Sequence, residues 1–409
     1  MKTIIALASG LVMMNAFANT AVETTNRLGL KLALKASQEV TKEKNFMISP
    51  LSLSQAVMLA GNGTNAGTRE ELETLLGDRM EKFNVASQSL VKSLNFSNEK
   101  EKAVKVSINN SIWNTNGATD HAHYVFSSTF RKTAVEYYNA EVFTADFRKQ
   151  SAVDTINGWA DKKTFGLVKK IIELDVLQDM LWVVMNATYM EASWVEPFYN
   201  MGDSSPAFHG LNNKTMKVPM ISGLQGIGHA EVNGAEVATL PFARVAGAPE
   251  LEMVIYLPSE GVALQDSQSA FFDAKAFKKM RALLASNREL ARVTMPKFSF
   301  DTSVEMKDGD KLTEAMGMDF LFSDLADFSV MQTPESLASK VGLIRQNSRI
   351  ELDEKGVKAA AVTIVGGVRT TSVRPQPSLN FVVDRPFHFA IVEKKSETVL
   401  FAGTVVEPK

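Results

Sequence analysis

The chain has 409 residues, of which 45% are hydrophobic and 22% are charged, and its formal net charge at pH 7 is −2. This composition is ordinary for a globular protein with a large core and speaks against a low-complexity chain. The nearly balanced charge suggests no basic patch, so we expect no nucleic-acid partner. The absence of cysteine excludes disulfides and thiol nucleophiles.

The N-terminal residues are typical of a secretory signal peptide. A short basic start is followed by a mostly apolar run at residues 4–14 and by a small-x-small cleavage signal, Ala-Phe-Ala, at residues 16–18. The run is too short to cross a bilayer, and a short buried helix is the alternative. We expect residues 1–18 to be removed, and the protein to be exported to the periplasm or the extracellular space without attachment to a membrane.

Helical patterns dominate the first half of the remaining chain. Residues 22–40 carry apolar residues at roughly helical spacing. Ser49 and Pro50 mark the start of another helix, since proline at the first helical position loses nothing by lacking an N–H. Thr68 with Glu71 three residues later has the pattern of a capping box, which predicts that a third helix begins after Thr68.

Strand patterns dominate the second half. The segment MLWVVMNATYMEASW has apolar residues on both faces, which predicts a strand in the centre of a sheet. Further strands are predicted in TMKVPMIS, AEVATLPF, LEMVIYLP, RVTMPKFSF, NSRIELDE, NFVVDRPFHFAIVEK and VLFAGTVVEP. Helices followed by strands predict an α+β fold rather than alternating βαβ units. Because no linker or repeat interrupts the chain, we expect residues 19–409 to form one domain.

Motifs for catalysis or metal binding are almost absent. The chain has no Gly-x-Ser-x-Gly elbow, no Walker loop and no His-Glu-x-x-His motif. His121 and His123 could offer metal ligands, but such an alternate pair more often decorates a surface. We therefore expect no enzyme activity, no metal and no cofactor. A hydrolase built from scattered carboxylates is the alternative.

Nine segments, in order, resemble the serpin family of serine protease inhibitors. They are NFMISPLSLSQAVMLAGNGTNAGTREEL, INGWADKKTFGLVKKII, VVMNATYMEASWVEPF, TMKVPMI, LEMVIYLPSEG, VTMPKFSFD, MGMDFLFSDLADFS, IELDEKGVKAAAVT and DRPFHFAIVEKKSETVLFAGTVVEP. Any one of these matches is weak evidence for the family, whereas nine matches in the family's order are specific evidence. The resemblance implies a serpin fold of three β-sheets with eight or nine helices, and an exposed reactive-centre loop at about residues 354–378. The signal peptide and the absence of cysteine suit a bacterial member.

The resemblance also implies a function. In serpins a target protease attacks the loop, forms an acyl-enzyme on its own serine and cuts the loop. The freed segment then inserts into the large sheet, drags the protease to the far end and distorts its active site. We expect a monomer that traps serine endopeptidases, with cysteine endopeptidases as a second class, in a covalent one-to-one complex. A non-inhibitory serpin that acts as a binding, carrier or chaperone protein is the alternative.

The composition of the loop fits that mechanism. The residues expected to form its hinge are Glu354, Gly356, Val357, Ala359, Ala360 and Ala361. Gly356 can act as the pivot, because glycine tolerates the change of backbone conformation. Alternate residues from Val357 onward are small or apolar and can face the core of a sheet, whereas Lys358 points the other way. The first proline, which would remove a ladder donor, is Pro375.

The resemblance places Trp194 where the loop first enters the sheet. It assigns four further residues, Ser49, Ser52, Asn186 and Gln346, to a polar cluster under the opening sheet. Gln346 stands where the family commonly has a histidine, and we expect it to keep a polar cluster because an amide both donates and accepts. Val357 stands where inhibitory members usually have Thr or Ser. Because valine is apolar and uncharged, we expect insertion to survive.

The scissile bond remains open between several candidates. Counting sixteen residues on from Glu354, as in typical inhibitors, gives Thr370–Thr371, which would suit a small, elastase-like pocket. One residue shorter gives Arg369–Thr370, which would suit a trypsin-like enzyme with an acidic pocket. Arg374 is also expected to be exposed, because the segment after Thr371 is about five residues longer than in compact members of the family.

Overall fold

The computed structural model describes residues 2–39, 44–98, 100–116, 124–211, 214–333, 339–357 and 376–408, with side chains described from residue 21 onward. No helix within these ranges combines the length and the apolar composition that a membrane span requires.

Eleven α-helices lie in the described part of the chain, whereas the resemblance implies eight or nine. They are Lys2–Glu39 (α1), Pro50–Gly61 (α2), Ala66–Leu76 (α3), Met80–Leu94 (α4), Ser128–Tyr138 (α5), Gln150–Lys163 (α6), Leu174–Leu177 (α7), Leu264–Phe272 (α8), Ala274–Ser286 (α9), Lys311–Met316 (α10) and Asp319–Phe322 (α11). Two of them, α7 and α11, have only four residues each. These two single turns, which carry little sequence signal, account for the difference.

Eighteen strands are described. They are Phe46–Ile48 (β1), Phe96–Asn98 (β2), Glu101–Thr115 (β3), Ala140–Ala145 (β4), Trp182–Ser193 (β5), Tyr199–Asn200 (β6), Phe208–His209 (β7), Thr215–Met216 (β8), Met220–Val232 (β9), Ala235–Pro241 (β10), Leu251–Leu257 (β11), Arg288–Pro296 (β12), Phe298–Met306 (β13), Ile344–Leu352 (β14), Gly356–Val357 (β15), Leu379–Val382 (β16), Phe387–Glu393 (β17) and Val399–Val405 (β18). Most helices precede most strands, so the predicted α+β fold is confirmed.

The strands form three sheets in the described part of the chain. The main sheet has seven strands in the order β13-β14-β15-β5-β3-β2, with β4 paired to β3. A nine-stranded sheet has the order β1-β18-β17-β11-β10-β9-β12-β16, with β6 paired to β9, and β7 pairs with β8. Both β14 and β5 are antiparallel to β15. They therefore run parallel to each other, with β15 between them.

The start of α2 and the central strand β5 lie where the sequence predicts them, but the start predicted for α3 is wrong. This helix begins at Ala66, with Asn65 at the N-cap position, so Thr68 lies within its first turn. The Thr68 hydroxyl accepts the backbone N–H of Asp327 at 2.9 Å instead of capping its own helix. The Thr68 side chain thus bonds to a distant segment of the chain, whereas the capping-box pattern predicts that it bonds within its own helix.

Two large apolar clusters form most of the core. One contains apolar residues of α1, α2, α4, α8 and β18, with α1 packed against the other three helices. The other fills the space between the main sheet and the nine-stranded sheet, and it includes Val357 of β15. Val357, the fourth residue of the predicted loop, is therefore anchored in the interior.

His388 on β17 is buried among aromatic rings. Its Nδ1 lies 2.8 Å from the Thr404 hydroxyl and its Nε2 lies 3.0 Å from the Ser267 hydroxyl, and its ring stacks on Phe271. Burial lowers the pKa of His388 from its ordinary value of 6.5 to about 3. The imidazole is therefore neutral in the folded protein at neutral and mildly acidic pH.

We predict that this histidine makes the fold sensitive to acid. Between about pH 6.5 and pH 3 the unfolded chain binds a proton that the folded His388 does not, so the free energy of unfolding falls as the pH falls, by up to about 1.4 kcal/mol per pH unit. Chemical unfolding of the wild type and of His388→Gln across this range measures the effect. The variant should show a shallower pH dependence, and equal slopes would contradict the assignment.

Candidate functional site

Strand β15 occupies the upper end of the space between β14 and β5. Val357 pairs with Leu352 of β14 on one side and with Ala192 of β5 on the other, and Gly356 pairs with Ser193. The Val357 side chain is 5% exposed. At this point the chain that leads into the predicted loop is already a strand of the main sheet.

A tight turn carries the chain from β14 into β15. The backbone N–H of Asp353 donates to the Gly356 carbonyl at 2.9 Å, and its Oδ1 accepts the N–H groups of Lys355 and Gly356. Trp194, just after β5, donates its Nε1 to the Asp353 carbonyl at 3.1 Å and its backbone N–H to the Lys355 carbonyl at 2.8 Å. The Trp194 ring stacks on Phe242 at 4.5 Å. Trp194 therefore holds the turn against the end of β5.

Glycine is required at position 356. Its φ of +153° is one that other residues rarely adopt, and a Cβ there would overlap the carbonyl oxygen of Ala192. Any larger residue would push β15 away from β5.

Glu354 ties the turn to neighbouring elements. Its Oε1 accepts hydrogen bonds from Lys297 Nζ at 3.1 Å and from Asn200 Nδ2 at 2.9 Å, and its backbone carbonyl accepts the N–H of Phe198 at 2.9 Å. Partial burial raises the pKa of the Glu354 carboxyl. Hydrogen bonds from its own backbone, Lys297 and Asn200 have a larger, opposite effect and hold that pKa below its ordinary range. The carboxylate is therefore ionised and anchors the turn from above the sheet.

Ser49, Ser52, Asn186 and Gln346 belong to one hydrogen-bonded cluster beneath the main sheet. Gln346 of β14 accepts the N–H of Ser49 at 2.7 Å and donates to its carbonyl at 2.8 Å. The Ser52 hydroxyl donates to Asn186 Oδ1 at 2.6 Å, and Asn186 Nδ2 donates to Asn110 Oδ1 at 2.8 Å. The cluster joins the start of α2 to three strands, β14, β5 and β3.

A cleft runs between β14 and β5 below β15. Its walls include consecutive residues of both strands, residues 182–188 and 344–351. Consecutive side chains of a strand point to opposite faces of the sheet. Because residues from both faces line the cleft, it lies between the facing edges of β14 and β5. Helix α2 lies on its inner side, and α6 with the segment that follows it lies on its outer side. Within the described residues, β15 is the only strand that pairs with both walls.

The remaining predicted site residues lie outside the described residues. They are the hinge residues Ala359, Ala360 and Ala361, and the scissile candidates Arg369, Thr370, Thr371 and Arg374. His121 and His123 lie outside them as well. In the part of the chain that is described, no three His, Asp or Glu side chains are grouped so that they could hold a metal ion.

Several residues at this site were not predicted from the sequence. Lys297, Asn200 and Asn110 come from distant parts of the chain, and nothing in their local sequence marks them. Asp353 has a local signal, because an Asp three residues before a Gly is typical of a turn whose carboxylate accepts backbone N–H groups.

Comparisons with known proteins find similarity over most of the chain. A profile described as Serpin (serine protease inhibitor) matches residues 23–408. Serpin-Z2A of Triticum aestivum is 27% identical over 388 residues, which cover 93% of this chain and 95% of that protein. The crystal structure of tengpin, a thermophilic serpin in the native state, matches with a TM-score of 0.78 and 24% identity over 94% of each chain. Human thyroxine-binding globulin complexed with thyroxine matches with a TM-score of 0.78 and 24% identity, over 97% of this chain and 100% of that one.

Gly356→Ala should destabilise the protein, because the new methyl group would collide with the Ala192 carbonyl and displace β15 from β5. We expect the free energy of unfolding to fall by about 1–3 kcal/mol. The matched control is Gly67→Ala in α3, where the added Cβ meets open space and alanine favours the helix. Thermal and chemical unfolding of both variants measures the difference. Equal stability of the two variants would show that the close approach does not constrain the site.

Proposed function

This chain belongs to the serpin family, and on that basis we propose that it inhibits serine endopeptidases by suicide-substrate trapping. The observation that carries the proposal is the position of β15, whose two residues lie between β14 and β5 directly above the cleft. The target's own serine attacks the loop and forms an acyl-enzyme, and the freed strand then extends β15 down the cleft. The protein itself contributes no nucleophile, metal or cofactor.

The register of β15 supports this extension. Val357 opposite Ala192 and Leu352 places residue 361 opposite Thr188 of β5 and Ser348 of β14 when the antiparallel pairing continues. The same register brings residue 365 opposite Val184 and Ile344, at the end of β14. Residues 358–365 thus match the free length of β14, and β5 extends two residues further, to Trp182.

The two faces of the extended strand suit their surroundings. Side chains at odd positions from Val357 would point inward, as Asn186 and Gln346 do, and this face has only Val, Ala, Thr and Gly up to residue 367. Side chains at even positions would point towards α6. Lys358 would lie beside Glu191 and Glu351 at the top of this outer face. No charged side chain would have to enter the core.

The free energy of insertion is large enough to drive trapping. Eight residues paired on both sides gain about one to two hydrogen bonds each, at about 0.5–1.5 kcal/mol net per bond. The sum is on the order of 10 kcal/mol, which is comparable to the stability of a whole domain. Hydrolysis of the acyl-enzyme competes with insertion, so the outcome depends on the rate of insertion as well as on its free energy.

The target class depends on which bond is cut. Cleavage after Arg369 or Arg374 would select trypsin-like enzymes, and cleavage after Thr370 would select elastase-like enzymes with a small pocket. We propose that more than one protease cuts this loop, at different bonds. Cysteine endopeptidases are a second target class, and the complex is a covalent one-to-one adduct with a monomeric inhibitor.

A non-inhibitory role is the second candidate. Human thyroxine-binding globulin, which matches this fold over its whole length, is found in complex with thyroxine. A protein of this type would act as a binding, carrier or chaperone protein. For such a protein, cleavage within the loop would hardly change the melting temperature.

We also propose that the protein acts outside the cytoplasm, in the periplasm or the extracellular space. The basic start, the apolar run and the Ala-Phe-Ala signal within residues 1–18 support export. The intact mass of the exported protein, which should lack these residues, checks this part of the proposal.

Trypsin-like and elastase-like proteases provide the test of inhibition. Mixed with either class, the protein should form an adduct that survives SDS, and mass spectrometry of the released C-terminal peptide should identify the scissile bond. Cleaved protein should melt at a much higher temperature than intact protein. If each protease cuts the loop and remains fully active, with no rise in melting temperature, the inhibitory proposal is wrong.

A further inference from the structure

Residues 164–173, here named the strap, connect α6 to α7 and lie across the outer side of the cleft. Thr164, Leu167, Val168 and Ile171 all line it. The strap therefore covers the path along which we propose that the cleaved loop inserts.

On the β5 side the strap is fixed by apolar packing and by one amide. Ile172 packs with Val183 and Ala187 of β5 in a buried cluster that includes much of α6. Asn157 of α6 accepts the N–H groups of Ile171 and Ile172 at 2.8 and 3.1 Å and donates to the Ile172 carbonyl at 3.0 Å. This side of the strap moves with α6 and β5.

On the β14 side the strap is fixed mainly by an ion pair. Arg345 of β14 donates its Nη1 to Glu173 Oε2 at 2.5 Å, while its Nε donates to Glu305 of β13 at 2.7 Å. The Arg345 side chain is only 15% exposed. Asn347 adds a longer bond of 3.4 Å to the Lys170 carbonyl. Because Glu305 holds the guanidinium against the sheet, Glu173 is tied to a rigid strand rather than to a free side chain.

The strap and the inserting strand occupy neighbouring layers. Arg345 and Asn347 lie on the outer face of β14, whereas Gln346 between them points inward to Ser49. If insertion continued the register of β15, residues 362 and 364 would come to lie opposite these two, with their side chains on the outer face. They are Val and Ile, the largest apolar residues among the even positions of the segment. Their side chains would have to pass beneath a strap that is fixed on both sides of the cleft.

We propose that the Arg345–Glu173 pair is a clamp that sets the rate at which the cleaved loop completes its insertion. This inference rests on the proposed function. While the clamp is closed, the strap resists the passage of the outward side chains, and when it opens the strap can lift from β14 while it remains attached to α6. Because deacylation competes with insertion, the clamp also determines how much of the protein is trapped as adduct and how much is released as cleaved product.

The test uses the full chain with Glu173→Gln, which removes the charge and keeps the size of the side chain. Glu81→Gln is the matched control, because it removes an exposed ion pair between Glu81, in the first turn of α4, and Arg79, just before that helix, away from the cleft. After mixing with a protease that forms the adduct, we expect insertion to be about three- to tenfold faster in Glu173→Gln than in the wild type. Rapid quenching into SDS measures the rate and the ratio of adduct to cleaved product.

The outcomes separate the two proposals. If the wild type forms no adduct and gains no stability on cleavage, the proposed function fails and the clamp fails with it. If the wild type forms the adduct and Glu173→Gln inserts at the same rate or more slowly, only the clamp is wrong. The free energy of unfolding of the intact variants distinguishes a clamp from a structural pair. A structural pair would lower stability without changing the rate of insertion or the ratio of products.

Discussion

The structure depends on the pairing of two residues, Gly356 and Val357, between β14 and β5. Strands β14 and β5 run parallel to each other, and an antiparallel strand between them could pair with both. Below Val357, the described chain provides no such strand. Their edges face a cleft instead. We propose that this sheet, which has a place for one more strand, is held short of its most stable arrangement. The chain that could fill that place continues directly from β15.

The surroundings of the cleft match this interpretation. On its inner side, Gln346 and Asn186 connect β14 and β5 to the start of α2, so opening the sheet disturbs a shared polar cluster rather than an apolar contact alone. On its outer side, the strap crosses from β5 to β14. At its upper end, next to β15, Trp194 and Glu354 hold the turn from which the inserting strand would extend. The proposed path of insertion is thus bounded on three sides by contacts between described residues, each of which can be altered separately.

Much of the fold could be predicted from the sequence, because long elements carry periodic signals. The central strand β5 and the start of α2 at Pro50 are examples, and the ordered serpin-like segments predicted the three sheets. The turns α7 and α11 were missed because four residues give almost no periodicity. The start of α3 was mispredicted because the Thr68 hydroxyl bonds to Asp327, which a local pattern does not reveal.

The candidate site was less predictable than the fold. The resemblance could name Ser49, Ser52, Asn186 and Gln346, and the structure places them in one cluster. It could not reveal that Lys297 and Asn200 hold Glu354, because those contacts join segments more than fifty residues apart. Nor could it show the strap, whose position over the cleft depends on contacts that Ile172 and Glu173 make with distant strands of the main sheet.

The most direct test of the account is the register of the inserted strand. The chain has no cysteine, so a designed pair reports on a single contact. Ala361→Cys with Thr188→Cys would place two thiols on directly opposite residues, within the Cα separation of a disulfide. Ala361→Cys with Ala187→Cys would place them on opposite faces of the sheet. After cleavage of the loop and mild oxidation, we predict that the first pair forms a cross-link and the second does not. A cleaved protein that fails to cross-link residues 361 and 188, or that cross-links both pairs equally, would contradict the claim that β15 extends down the cleft.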